Sequence, residues 1–74
     1  MREFVDAATK HMVEDIYQEA AQEALRRGLS RLTSHKEGVV AAAMLLSAIT
    51  GQEDDEARGA VVGLNLRPAY GEEA

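Results

Sequence analysis

The sequence predicts an all-α protein: an antiparallel helical hairpin followed by a short third helix. Three observations carry that prediction. The first is a run without charge, Gly38 to Gly51, in a chain where 28% of residues are charged. The second is residues 3–27, where apolar side chains recur every three or four positions. The third is an abrupt turn to acid at Gln52-Glu53-Asp54-Asp55-Glu56, which leads into a short amphipathic segment.

In residues 3–27, Val5, Thr9, Met12, Val13, Ile16, Ala20 and Ala24 fall on one helical face. Lys10, His11, Glu14, Asp15, Gln18 and Gln22 take the other face, which is the amphipathic template. Asp6 near the start, and Arg26 and Arg27 near the end, complement the helix dipole. Gly28 is the expected stop. At 1.5 Å per residue this helix is roughly 35–40 Å long, and it overhangs a second helix of roughly 25 Å.

Leu29 and Leu32 continue the apolar rhythm from Leu25. Either the first helix runs on through Gly28, or residues 28–33 form a tight connection with both leucines tucked beneath it. Thr33 and Ser34 look like start signals and favour the connection. A short link makes the two helices antiparallel neighbours.

The second helix is expected over residues 34–50. Ser34 and Glu37 have the Ser-x-x-Glu form of a capping box, and Gly51 suits a left-handed C-terminal cap. Ala41, Ala42, Ala43, Met44, Leu45 and Leu46 favour helix. Val39, Val40, Met44, Leu45, Leu46 and Ile49 reach most of the way round it, so the helix is expected to be buried on most sides, with Leu45 in the core. A membrane span needs about 20 apolar residues, and this run is shorter.

Thr50-x-x-Glu53 repeats the capping-box form, and acid suits a first helical turn. A third helix is expected from about residue 53 to 62, with Ala57, Ala60, Val61 and Leu64 facing inward. Pro68 ends regular structure. Residues 1–68 are expected to form one small helical domain, and residues 69–74 a frayed tail.

A chain of 74 residues is small for a core, because such domains bury only about 60% of their unfolded surface. Disulfides, metals and association are the usual supports. Cysteine is absent, and one Phe and two Tyr are the only aromatics. Association is therefore the expected support. The expected assembly is a homodimer in which two hairpins form a four-helix bundle. Its facing surfaces would be Val5, Met12, Ile16, Val40, Met44, Leu45 and Ile49. No apolar leader segment follows Arg2 and Glu3, and a cytoplasmic location is expected. The net charge of -5 argues against general binding to nucleic acid or anionic membrane. In size and composition the chain resembles small acidic helical accessory factors of bacteria and phage, a likeness that no motif carries.

Few residues suggest chemistry. His11 and Glu14 lie three apart and could share an ion, but on the polar face, away from any bundle interior where such pairs bind metal. Helix-supporting charge pairs explain them better. Glu19 and Glu23 lie four apart; Glu23 borders the apolar stripe and reads as an edge residue with its head in water. Arg26, Arg27, Arg31, His35 and Lys36 cluster at the connection and form the one basic patch. A recognition helix would need polar and basic residues along its exposed face, and residues 38–50 offer none. The acidic run Glu53, Asp54, Asp55 and Glu56 should lie at the far end of the hairpin, where an antiparallel dimer could bring it to the basic tip. Gly59-x-x-x-Gly63 could allow close helix packing. It lacks the Gly-Lys-Ser/Thr ending of a phosphate loop. Ser30, Ser34 and Ser47 have no histidine and acid arranged beside them. No catalytic residue, metal or cofactor is expected. Two function classes follow. The first is a non-enzymatic protein–protein interaction module, an adaptor or inhibitor. The alternative is a nucleic-acid-binding regulator that uses Arg26, Arg27, Arg31 and Lys36.

Overall fold

The computed structural model describes residues 7–68, and these form three helices and no strand. Helix α1 is Ala7–Arg26, α2 is Arg31–Thr50 and α3 is Asp54–Val62. The all-helical class, the hairpin and the short third helix are as the sequence predicts. Val5, Asp6 and the expected tail at 69–74 lie outside the described residues.

α1 stops where Gly28 predicts. Gly28 sits at φ +90, a region that glycine enters without steric penalty. Its N–H donates to the Leu25 carbonyl at 3.0 Å, and the Leu29 N–H donates to the Ala24 carbonyl at 3.1 Å. These two bonds make a Schellman cap.

α2 begins at Arg31 rather than Ser34. The cap is Ser30, whose Oγ accepts from the Thr33 N–H at 3.1 Å. The box read at Ser34 and Glu37 is therefore not the cap. Ser34 lies one turn inside the helix, fully buried, and its hydroxyl has no hydrogen-bond partner among the described residues. The earlier start makes α1 and α2 equal at 20 residues each, so the expected overhang is absent among the described residues. It also shortens the connection and leaves Leu32 63% exposed instead of tucked beneath it.

Gly51 closes α2 at φ 79, its N–H donating to the Ser47 carbonyl. Ser47 Oγ then donates to the Gln52 carbonyl at 2.7 Å, and the Gln52 N–H donates to Thr50 Oγ1 at 3.2 Å. Thr50 thus finishes α2 instead of capping α3. The residue at the α3 N-cap is Glu53, which makes no side-chain cap bond. Asp54, Asp55 and Glu56 fill the first turn of α3, where the helix dipole favours negative charge.

The core runs through all three helices. Val13, Tyr17 and Ala21 of α1 meet Val39, Ala42, Ala43 and Leu46 of α2, and Ala57, Ala60 and Val61 of α3 close it. The inner face of α3 is as expected, with Leu64 and Leu66 packed against the same cluster. The buried face of α1 differs from the expected stripe. It is Thr9, Val13, Tyr17, Ala21 and Ala24, turned by about half the 100° between successive helical residues. The turn brings Tyr17 and Ala21 inside and leaves Met12 44% exposed.

The cause lies at Gly38. A methyl group built there would fall 2.6 Å from the Tyr17 ring. Tyr17 fills the notch that the missing side chain leaves, so α1 rolls until Tyr17 faces α2. Close packing is therefore at Gly38, whereas Gly59 has open space around it. α2 also buries one face only. Val40 and Met44 are exposed, and the fully buried leucine is Leu46, with Leu45 half-buried at the margin.

Two pairs of substitutions test this fold by sign. Gly38→Ala should destabilise by about 1–3 kcal/mol through overpacking, although alanine favours helix. Gly59→Ala should stabilise by about 0.5–1 kcal/mol. Thermal unfolding followed by circular dichroism reads both. Ser30→Ala removes the cap and should cost about 1 kcal/mol. Ser34→Ala removes an unpaired buried hydroxyl and should raise stability by about 1 kcal/mol; a loss there instead would restore Ser34 as the cap.

Candidate functional site

Among the described residues two surfaces of the helical pair remain open, and they differ in character. α3 packs on α2, and the chain beyond it returns toward α1, where Gln18 Nε2 donates to the Arg67 carbonyl at 2.8 Å. One side of the hairpin is thereby covered. Helical spacing places Met12, Ile16 and Ala20 of α1, and Ala41, Leu45 and Ala48 of α2, on the opposite side. None of these six is fully buried. Met44 and Val40 extend this apolar surface round the outer face of α2, 65% and 47% exposed.

Of the expected interface residues, Met12, Val40, Met44 and Ile49 are thus exposed, while Ile16 and Leu45 are half-buried. Ile49 stands at the last turn of α2, on the side that faces α1.

The second surface lies between α2 and α3. A hollow of about 400 Å³ is lined by His35, Lys36, Val39, Val40, Arg58 and Val62. A neighbouring hollow of about 250 Å³ is lined by Arg31, Leu32, His35, Leu66, Arg67 and Pro68. His35 belongs to both, and no carboxylate lines either. The basic patch of the sequence is thus divided. Arg31, His35 and Lys36 reach these hollows, whereas Arg26 and Arg27 do not line them, and Arg26 pairs with Glu23 at 3.4 Å. Arg58 and Arg67 join the patch from α3 and the chain after it. Nothing in the local sequence marks them, because they lie 22 or more positions from Lys36.

His35 is fixed from below. The Tyr17 hydroxyl lies 2.7 Å from His35 Nδ1, and the two rings meet edge-on with centroids 5.6 Å apart. Burial pushes the Tyr17 phenol above its ordinary value of 10.0, and the Arg67 guanidinium draws it part of the way back. Sequence periodicity misses Tyr17, because its partner lies 18 positions away on the other helix.

The acidic run is at the other end. Glu53, Asp54, Asp55 and Glu56 are all exposed at the start of α3. Antiparallel α2 and α3 set this run beside the end of α2, away from Arg31 and Lys36 at its start. His11 is exposed, and Glu14 lies 3.8 Å from Lys10 in an i,i+4 pair. Among the described residues no group of three His, Asp or Glu is placed to share a metal ion. No helix there is long and apolar enough to cross a membrane.

The chain matches no protein-family model, no curated protein and no solved structure.

Tyr17 titration tests the geometry of the His35 contact. A phenol whose pKa is raised by folding stabilises the fold below pH 10, the unfolded value, and this stability is lost as pH climbs through the folded value. Unfolding midpoints should therefore fall above about pH 10. Tyr17→Phe should flatten that fall and lose about 1 kcal/mol at neutral pH.

Proposed function

We propose that this chain is a non-enzymatic protein–protein interaction module that works through the open apolar face of its hairpin. The observation that carries the reading is the exposure of Met12, Val40 and Met44, 44%, 47% and 65%, beside half-buried Ile16 and Leu45. Together they make a contiguous apolar surface of the kind that marks a partner site. A second copy suits it best, as two hairpins joined there make a four-helix bundle. The described body measures 36 × 20 × 16 Å, so one broad face comes close to the ~800 Å² per partner of a standard interface. The absence of an enzyme activity is part of the proposal. Its support is that several groups able to do chemistry have structural work: Ser30 caps α2, Ser47 ties the corner and His35 holds Tyr17.

The nucleic-acid alternative, through Arg26, Arg27, Arg31 and Lys36, has weaker support. Past its first two turns, the outer face that α2 would present to a groove carries Val40, Met44 and Ala48, which form no hydrogen bond with a base edge. As an adaptor or inhibitor the protein would act in solution, and a cytoplasmic location belongs to this proposal.

Light scattering should give a mass twice the chain's 8.0 kDa. Met12→Glu combined with Met44→Glu should return it to a monomer with its helix content unchanged, since both residues are exposed. A wild-type protein that stays monomeric at every concentration would remove self-association from the reading.

A further inference from the structure

We infer that the cation-rimmed groove between α2 and α3 is a second docking site, and that its occupant is an acidic amphipathic segment of a partner protein. The inference rests on the interaction-module reading only in taking the occupant as protein. It concerns a different surface, which shares only Val40 with the apolar face.

The argument begins with the groove floor. Val39, Val40 and Val62 line the larger hollow, and Val62 is 54% exposed although it belongs to a helix with a filled inner face. Leu66 and Pro68 line the adjoining one. This floor would take apolar side chains. The rim is cationic. Lys36 and Arg58 stand on opposite helices across the larger hollow, and Arg31 and Arg67 border the smaller one. All four are exposed, and among the described residues none of them is in an ion pair. Four cations without an ion pair among the described residues, gathered on one edge of a chain with a net charge of -5, mark that edge out for a negative partner.

The floor decides which kind of negative partner. Single-stranded nucleic acid binds on exposed aromatic platforms on which bases stack. Tyr17 is the one Phe, Tyr or Trp among the described residues, and it is fully buried, while the His35 ring is engaged edge-on with it. An aliphatic floor with cations on both rims instead complements a helix or strand that carries leucine-like side chains on one side and carboxylates at its edges. Charge complementarity supplies orientation and a faster approach, and the valine floor supplies the hold.

Fluorescence anisotropy with a labelled amphipathic peptide of leucine and glutamate tests this. The peptide should bind with micromolar affinity that weakens as salt is raised. Lys36→Glu with Arg58→Glu should weaken it by more than tenfold, and Val62→Ser by several-fold, with circular dichroism unchanged in each. The same peptide with glutamine for glutamate should bind at least tenfold more weakly. Absence of binding, or binding indifferent to Lys36 and Arg58, would overturn the proposal. So would displacement by an oligothymidine, which would assign the rim to phosphates. A solution mass that falls on charge reversal would assign the groove to a second copy and likewise overturn it. Affinity that rises tenfold in Glu72→Gln with Glu73→Gln would assign it to carboxylates of this chain itself. The Met12→Glu, Met44→Glu protein should keep the peptide. Loss in that variant alone would move the peptide to the opposite face, so the two surfaces fail separately.

Discussion

Tyr17 enters α2 at Gly38, where a side chain of even one carbon would lie 2.6 Å from its ring, and much of the molecule follows from this contact. The ring sets the roll of α1, because a large flat side chain fits at only one level of the facing helix. Once it is seated, the neighbouring contact positions must be small. Ala21 of α1 and Ala42 and Ala43 of α2 are buried in the same core cluster. The hydroxyl emerges beside His35 and bonds to it, which satisfies a polar group that would be costly to bury alone. Ser34, one residue before His35, has no such relief.

A core built from one tyrosine and many alanines is thin. It lets two helices approach closely, but it leaves little apolar bulk to draw every hydrophobic residue inward. The larger aliphatic side chains of α2 are distributed accordingly. Leu46 is buried, while Val40 and Met44 point outward. α3 covers one side of the pair with a nine-residue helix, and among the described residues the other side stays open. The open face is a consequence of the same close contact, not an independent feature.

Charge follows the chain's reversals. Each helix change carries the chain to the opposite end of the bundle. The residues at the hairpin tip, Arg31 and Lys36, therefore meet Arg67 and the later turns of α3, while the acidic first turn of α3 lies at the far end. Cations distant in sequence gather round His35, and the acidic run Glu53, Asp54, Asp55 and Glu56 stands apart from them. The surface thus has an apolar face, a cationic groove and an acidic end, each set by topology.

Much of this was legible in the sequence, because it depends on local chemistry. Helix-forming composition, the glycine stops at Gly28 and Gly51, and the acid-led start of α3 act within a turn or two of the chain. They placed three helices, with the ends that fall within the described residues correct to a few residues. The start of α2 was the exception. Ser30 and Ser34 offer the same local chemistry, and only the buried position of Ser34 against α1 decides between them. The face that each helix buries was likewise beyond local reading. Periodicity finds a stripe, but the Tyr17–Gly38 fit, 21 residues apart in sequence, turns that stripe and decides which aliphatic residues stay outside. The groove shows the same limit. Its rim joins Lys36 to Arg58 and Arg31 to Arg67, pairs whose nearness exists only once the helices have packed.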